Sequence, residues 1–341
     1  MLTPQPKLIP KRQKVLVNLE RRFVMKIAVI GAGMAGLTVA RNLQSFAEVT
    51  VFDKSKGTGG RLSSRSFAGG WIDHGAPYFS TDSQDFLQFL QRHVATDVMQ
   101  LWQPGTSGFL PKNERGGYIG LPRNSAVTRA LLGDLCFQPS TRIARLEHCP
   151  EGWQLFNDGD TLLGIWQQVV IAVPAPQALV LVRDQPHLAG QIGPVEMEPC
   201  WVAAIQAELP LEDVADLSGY EHPVIRRIVC NSAKPMRQNE NLYVVQATKD
   251  WSKDHLEDTA DRVGEHMLQS FCSLTSTACN CNVLFVHRWR YAFTEIALGQ
   301  SCLWDTQLKL GICGDWCLGR RVEDAWQSAT ELAHRILKDA S

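Results

Sequence analysis

The chain shows its clearest hydrophobic patterning just before residue 55. Ile27-Ala28-Val29-Ile30 is an uninterrupted apolar run, the signature of a strand buried on both faces. Leu37, Ala40, Leu43 and Gln44 then recur at helical spacing, and Val49-Thr50-Val51-Phe52 forms a second apolar run. The pattern predicts strand, turn, helix and strand in the 27 residues from Ile27 to Asp53. At the far end, Leu310-Gly311-Ile312 predicts a short buried strand. Val322, Ala325, Ala329, Leu332, Ala333 and Ile336 then mark one face of an amphipathic helix. Between these ends, Phe86, Leu87, Phe89 and Leu90 open a helix that leads into a Gly/Pro-rich stretch, Gln103 to Pro122. Gly120 to Ser125 caps another helix running to Leu132, and residues 135–156 and 169–173 read as strands. After Pro174 the pattern turns β-rich, with strands at 201–206, 242–246 and 283–293 and a helix over 251–271. There is no internal repeat and no low-complexity segment.

The turn between the first strand and helix carries Gly31, Gly33 and Gly36, spaced G-x-G-x-x-G. In such a turn the first glycine permits the tight bend and the second lets backbone approach a pyrophosphate. The third lets the helix pack closely on the sheet. The helix start at Met34 and Ala35 offers free N–H groups and a positive dipole to phosphates. Asp53 stands where a carboxylate takes the ribose hydroxyls of an adenosine. The motif alone does not separate FAD from NAD.

The following residues, Lys54-Ser55-Lys56-Gly57-Thr58-Gly59-Gly60-Arg61, make that separation. A second glycine-rich loop ending in Gly-Gly-Arg resembles the second fingerprint of the glutathione-reductase-type flavoproteins, which include the amine oxidases. Three further segments resemble the same superfamily. Asp73-His74-Gly75-Ala76-Pro77-Tyr78-Phe79 is similar to the element that runs past the flavin. Val169 to Ala178 is similar to the strand that closes the central domain, and Gly314-Asp315 with the helix from Val322 to the last flavin contact. His287-Arg288-Trp289-Arg290-Tyr291-Ala292, taken with Gly314-Asp315-Trp316-Cys317, resembles the bacterial renalase-like branch. Two positions depart from the pattern: Asp53 stands where Glu is commoner, and Arg320 where a glycine is expected.

The resemblance implies an α/β fold. A discontinuous Rossmann-type FAD-binding domain (25–80, 122–176 and 302–341) would carry a mixed α+β, amine-oxidase-like substrate domain (81–121 and 177–301). It implies non-covalent FAD, because no cysteine stands in the family's covalent-flavin context. Gly59, Gly60 and Arg61 would wrap the pyrophosphate beside Lys54. Gly75 and Ala76 would run past the flavin, and Ile143 would lie at the adenine. Asp315 would bind the ribityl or pyrophosphate region, and the helix N-terminus at Val322 would face the flavin N1 edge. It also implies an oxidase for dihydronicotinamide dinucleotides reduced at ring carbons 2 or 6. Hydride would pass to flavin N5, giving NAD(P)⁺, and O₂ would be reduced to hydrogen peroxide.

Composition fits a two-domain enzyme. The 341 residues allow ample core, and a net charge of −1 gives no reason to invoke nucleic acid. No apolar run reaches membrane-spanning length. Ten scattered cysteines include Cys279-x-Cys281 and Cys313-x₃-Cys317, but no second pair for a zinc site, so no metal is expected. Buried thiols in a reduced, cytoplasmic protein are the expectation. Residues 1–24 are basic, with Lys7, Lys11, Arg12, Lys14, Arg21 and Arg22 against Glu20 alone. They lack a secretory signal's apolar core. A disordered tail, an upstream start before Met25 and a transit peptide all fit, and Met25 directly before the first strand favours the first two.

The residues that would act on substrate are less marked. By strand alternation His287, Trp289 and Tyr291 share one face, with Arg288 and Arg290 on the other. Trp289 or Tyr291 can stack on a planar substrate and an arginine can hold a phosphate; cross-strand packing accounts for the pattern equally well. His74 is either a substrate contact or a core histidine. No Ser-His-Asp set or carboxylate pair is present, and a flavin enzyme needs none. Three rivals remain open: a flavin amine oxidase with Trp289 and Trp316 as cage walls, an NAD-dependent dehydrogenase, and a flavin-binding protein without oxidase activity. The sequence leaves oligomeric state undetermined.

Overall fold

The computed structural model describes residues 25–67, 70–103, 117–211, 216–218, 221–238, 240–275 and 280–340. The basic segment 1–24, residues 104–116 of the Gly/Pro-rich stretch, Gly69 and Cys279 lie outside the described residues.

A six-stranded sheet organises the first half of the fold. Its order is Leu303–Asp305, Leu310–Ile312, Gln168–Ile171, Lys26–Ile30, Glu48–Phe52 and Cys136–Gln138. All neighbours are parallel except the antiparallel edge strand Leu303–Asp305. The apolar run in Lys26–Ile30 serves two cores at once. Ile27 and Val29 pack with helices Met34–Leu43 and Val322–Asp339 on one face. Ala28 and Ile30 pack on the other, with a three-stranded antiparallel sheet (Ile143–Cys149, Gly152–Asn157, Leu162–Trp166). Period-two alternation in a strand covered on both sides explains why no polar position interrupts it. The strand is followed on one side by Glu48–Phe52 and flanked on the other by Gln168–Ile171, so the chain reverses its direction of travel across the sheet at the end of Ile30. Crevices form at such points.

The second half is a five-stranded antiparallel sheet, ordered Asp216–Ser218, Ile225–Cys230, Leu242–Ala247, Glu196–Ala207 and Cys281–Ile296. One face packs on helix Ala260–Thr275 through Trp201, Tyr243, Val263 and Phe271. The opposite face, with Cys200, Val202 and Val244, turns toward Ile72 and Trp289. The structure corrects three sequence expectations. Two short helices, Ala175–Leu181 and Pro186–Ile192, precede the β-rich region, each with a proline in its first turn. The helix expected over 251–271 is two, Lys249–Asp254 and Ala260–Thr275. Gln44 is an exposed C-cap residue rather than part of the buried face.

One irregularity shapes the site. Trp289 pairs with Cys200 and Phe293 with Glu198, so Arg290, Tyr291 and Ala292 lie opposite Pro199 alone. Proline has no N–H to give the ladder, and the facing strand bulges there.

Candidate functional site

A cavity of about 1150 Å³ opens at the end of strand Lys26–Ile30 and extends to the inner face of the second sheet. Of the residues expected above to contact cofactor or substrate, all but Gly36 line it. Gly31 has φ +112°, and a Cβ there would stand 2.5 Å from the Ala172 carbonyl oxygen. Gly36 is excluded from any larger residue by the turn itself: a Cβ would lie 1.8 Å from the Gly31 oxygen. Gly33 is different. A Cβ there would meet only the Gly60 Cα, at 4.0 Å, so the space in front of it is empty of protein. It is the N-cap of helix Met34–Leu43 and supplies no side-chain cap, leaving that helix's first N–H groups to the cavity.

The second glycine loop docks on the first through Gly59, whose N–H donates to the Ala32 carbonyl (3.0 Å). Asp53 braces both loops. Its Oδ2 accepts from the Ala32 N–H and its Oδ1 from the Ser55 N–H, each at 2.7 Å. Each carboxylate oxygen keeps further lone-pair capacity on the cavity side. Thr141 donates its N–H to the Asp53 carbonyl at 2.8 Å, which sets Ile143 beside it.

Arg61 has a partner that the sequence did not announce. Its guanidinium makes a two-pronged pair with Asp315, Nη1 donating to Oδ2 at 2.7 Å and Nη2 to Oδ1. Nη1 also reaches the Ala292 carbonyl at 3.3 Å, an acceptor in the bulge opposite Pro199. Two residues expected to contact a cofactor separately thus hold each other, and they tie the two glycine loops, the last strand and the second sheet together. Gly75 packs on the Arg61 carbonyl, which accepts the Ala76 N–H at 2.7 Å. Val322 begins the last helix at the cavity, and Asp324 caps it by accepting the Arg321 N–H at 2.8 Å.

At the other end, His74 stacks on Trp289 with ring centroids 5.5 Å apart and meets His287 edge-on at 4.8 Å. The Trp289 N–H donates to the His74 carbonyl at 2.9 Å. His74 is 8 % exposed, and its Nδ1 is buried without a partner. Burial, with His287 beside it, brings its pKa down to about 4, and burial also lowers that of His287. Both imidazoles are therefore neutral near pH 7. Tyr291 sits on the bulge and lines the cavity. Arg288 and Arg290 are committed elsewhere: both pair with Glu257, at 3.1 and 2.6 Å. Trp316 lines the cavity from a buried position, with its N–H on the Val173 carbonyl at 3.0 Å.

Sequence reasoning missed two clusters. Asp73 is fully buried between Lys234 (3.0 Å) and Arg237 (2.6 Å), and it accepts from the Ser64 hydroxyl and the Asn124 N–H. Those cations hold its carboxyl down at about 2 against the cost of burial. Arg237 also reaches the Pro122 carbonyl, and Asn124 those of Ala76 and Pro77. Tyr78, Asp216 and Arg227 form a second group, with the tyrosine hydroxyl donating to Asp216 at 2.7 Å. The Asp-His pair at 73–74 was the only local signal, and their partners are far away in sequence. Among the described residues no group of three or more His, Cys, Asp or Glu side chains is placed to hold a metal.

The arrangement is an α/β nucleotide-binding fold whose glycine turn opens on a long cavity walled by a second, antiparallel sheet. Comparison with known proteins agrees. Residues 29–93 match the NAD(P)-binding Rossmann-like domain family. A Drosophila melanogaster protein, anon-37Cs, is 31% identical over 93 residues, which are 26% of this chain and 18% of that protein. The fold is shared nearly end to end with solved structures. Putrescine oxidase bound to putrescine has a TM-score of 0.68 at 12% identity, covering 92% of this chain and 99% of that one. A CLA-producing fatty acid isomerase from P. acnes has 0.69 at 12%, covering 91% and 98%. An oxidoreductase from Methanosarcina mazei has 0.60 at 14%, covering 91% and 100%.

Proposed function

We propose that this protein is an FAD-dependent oxidoreductase of the renalase-like kind, oxidising 2- or 6-dihydro isomers of reduced NAD(P). The observation that carries the reading is the single cavity of about 1150 Å³ running from the glycine turn to the His74–Trp289 wall. Ordinary ligand pockets occupy roughly 300–1,000 Å³, so this one has room for a dinucleotide and a planar substrate together.

The residues fit the cofactor. The space before Gly33, bounded by Gly60 and faced by uncapped helix N–H groups, is a cradle for a pyrophosphate. Asp53 keeps acceptor capacity for ribose hydroxyls. Gly59 and Gly60 close the loop over the phosphates, and the Arg61–Asp315 pair holds the ribityl side. The N-terminus of the Val322–Asp339 helix favours negative charge at the cavity. Bound FAD would supply a two-electron acceptor, so that dihydronicotinamide, O₂ and one proton give NAD(P)⁺ and hydrogen peroxide. Trp289 and Tyr291 would flank the planar ring of the substrate. His287 would offer it a hydrogen bond, and the neutral His74–His287 pair would draw neither a cation nor an anion to that wall. Cys136, Cys149, Cys200, Cys230, Cys272, Cys302, Cys313 and Cys317 are free thiols, which supports a reducing, cytoplasmic setting.

An amine substrate is the second reading, supported by the likeness to putrescine oxidase. The assay that separates them is aerobic turnover of purified yellow protein with mixed reduced-NAD isomers or with putrescine. Equimolar NAD⁺ and peroxide from the isomers alone supports the proposal; peroxide from putrescine alone refutes it.

A further inference from the structure

Beyond the cofactor cradle, the cavity's charges are one-sided. Among the described residues only two carboxylates line it, Asp53 and Asp315, and both are engaged with the protein's own groups. Nine cations line it. Arg61, Arg227, Arg288, Arg290 and Arg321 are each within 4.0 Å of a carboxylate, as is Arg142 with Asp158. Lys54 stands by Asp53 at the adenosine end. Two remain at the sheet end, where among the described residues neither has a carboxylate within 4.0 Å, although Arg320 lies in the field of Glu295. They are Arg226, on strand Ile225–Cys230, and Arg320, in the loop before the last helix.

The Arg226 guanidinium sits 4.3 Å from the centroid of Phe293, the residue that follows the bulge. Stacking on an aromatic face positions a guanidinium yet leaves its N–H edge to hydrogen-bond an anion two-pronged. Neighbouring Arg227 is spent on Asp216 and Tyr78, which fixes the backbone that carries Arg226. An unpaired cation on a cavity wall repels cations and attracts anions.

We propose that Arg226, with Arg320 as a second cation, holds the phosphates of an anionic substrate while its ring reaches the Trp289 wall. The inference rests on the reading above that the cavity binds FAD and a dinucleotide substrate. It makes the substrate end selective against polyamines.

The test titrates FAD-loaded protein with ADP-ribose, inorganic pyrophosphate and putrescine, following the perturbation of the flavin spectrum. ADP-ribose should bind, more weakly as salt rises, and putrescine should not. Arg226→Gln should weaken ADP-ribose roughly tenfold to a hundredfold, the loss of a charge-assisted pair, with FAD content unchanged. Arg320→Gln should weaken it less, and Arg226→Lys should recover part of the loss. Pyrophosphate binding that depends on Arg226, without ADP-ribose binding, would keep the anion site and discard the dinucleotide. Putrescine binding more tightly than ADP-ribose would overturn the proposal. So would anion affinities unchanged by salt and by both glutamine variants.

Discussion

Two glycines of the same turn should respond oppositely to alanine. At Gly36 the added Cβ lies 1.8 Å from the Gly31 carbonyl oxygen, so strand and helix must part by more than an ångström. Overpacking of this kind costs about 1–3 kcal/mol and sometimes more. Better helix propensity returns less than about 1 kcal/mol. A net loss of about 2 kcal/mol would lower Tm by roughly 2–4 °C in a chain of this size. At Gly33 the backbone has φ −84°, which alanine adopts freely, and the Cβ meets only the Gly60 Cα at 4.0 Å. The poorer N-cap and the stiffer unfolded chain roughly cancel, leaving apo stability within about 1 kcal/mol. The Cβ would instead occupy the pyrophosphate cradle. Thermal unfolding of the apo forms and FAD titration by fluorescence quenching measure the two effects separately. Gly36→Ala should melt early, whereas Gly33→Ala should melt like the parent and bind FAD at least tenfold more weakly. Normal FAD affinity in Gly33→Ala would mean that no phosphate lies there. Unchanged stability in Gly36→Ala would refute the close-packing argument.

Other expectations follow from the buried charges. Asp315→Asn breaks the two-pronged pair with Arg61; because Arg61 is 29% exposed, the loss should be about 2 kcal/mol rather than the larger cost of a fully buried pair, measured by denaturant unfolding. Asp73 has its carboxyl held at about 2 against an ordinary 3.8, so the unfolded chain takes up its proton first. Stability from this group is complete above about pH 5 and falls by roughly 2 kcal/mol as pH drops toward 2, a slope that Asp73→Asn should abolish in acid unfolding. His74 has its pKa at about 4 against 6.5, and between those values the unfolded chain binds the proton that the fold refuses. Stability should therefore fall as pH drops from 6.5 to 4, by at most ~3 kcal/mol, and a His74→Gln variant should show a flatter pH–Tm curve.

The nucleotide turn was legible because its glycine spacing and its acid lie within one short stretch of chain. Gly36 packs on Gly31 inside the strand–turn–helix and Asp53 reaches back to Ala32 across one strand pairing, while the neighbours of Gly31 at Ala172 and of Gly33 at Gly60 are supplied by the fold. The last strand and helix were legible for the same reason, an apolar run followed by period 3.6. What escaped depends on residues brought together by the fold. Lys234 meets Asp73 across 161 residues, and nothing near either signals the other. Arg61 looked like a phosphate ligand because its loop is glycine-rich; its pairing with Asp315 spans 254 residues. The commitment of Arg288 and Arg290 to Glu257 needed the second sheet's register against its flanking helices. Two signals were present and unread. Pro174 and Ala175-Pro176, then Pro186, are helix-start residues that announce the short helices before the second sheet. Pro199 in a central strand announces the bulge that carries Tyr291.

A flavin in this cavity would be reduced by a dihydronicotinamide held against the Trp289 wall. The decisive measurement is an anaerobic visible titration of the purified protein, with mixed reduced-NAD isomers as donor and β-NADH and simple amines in parallel. The flavin band should bleach rapidly with the isomer mixture alone and recover on admitting O₂. Bleaching by amines instead, or a flavin that none of these donors reduces, would contradict it.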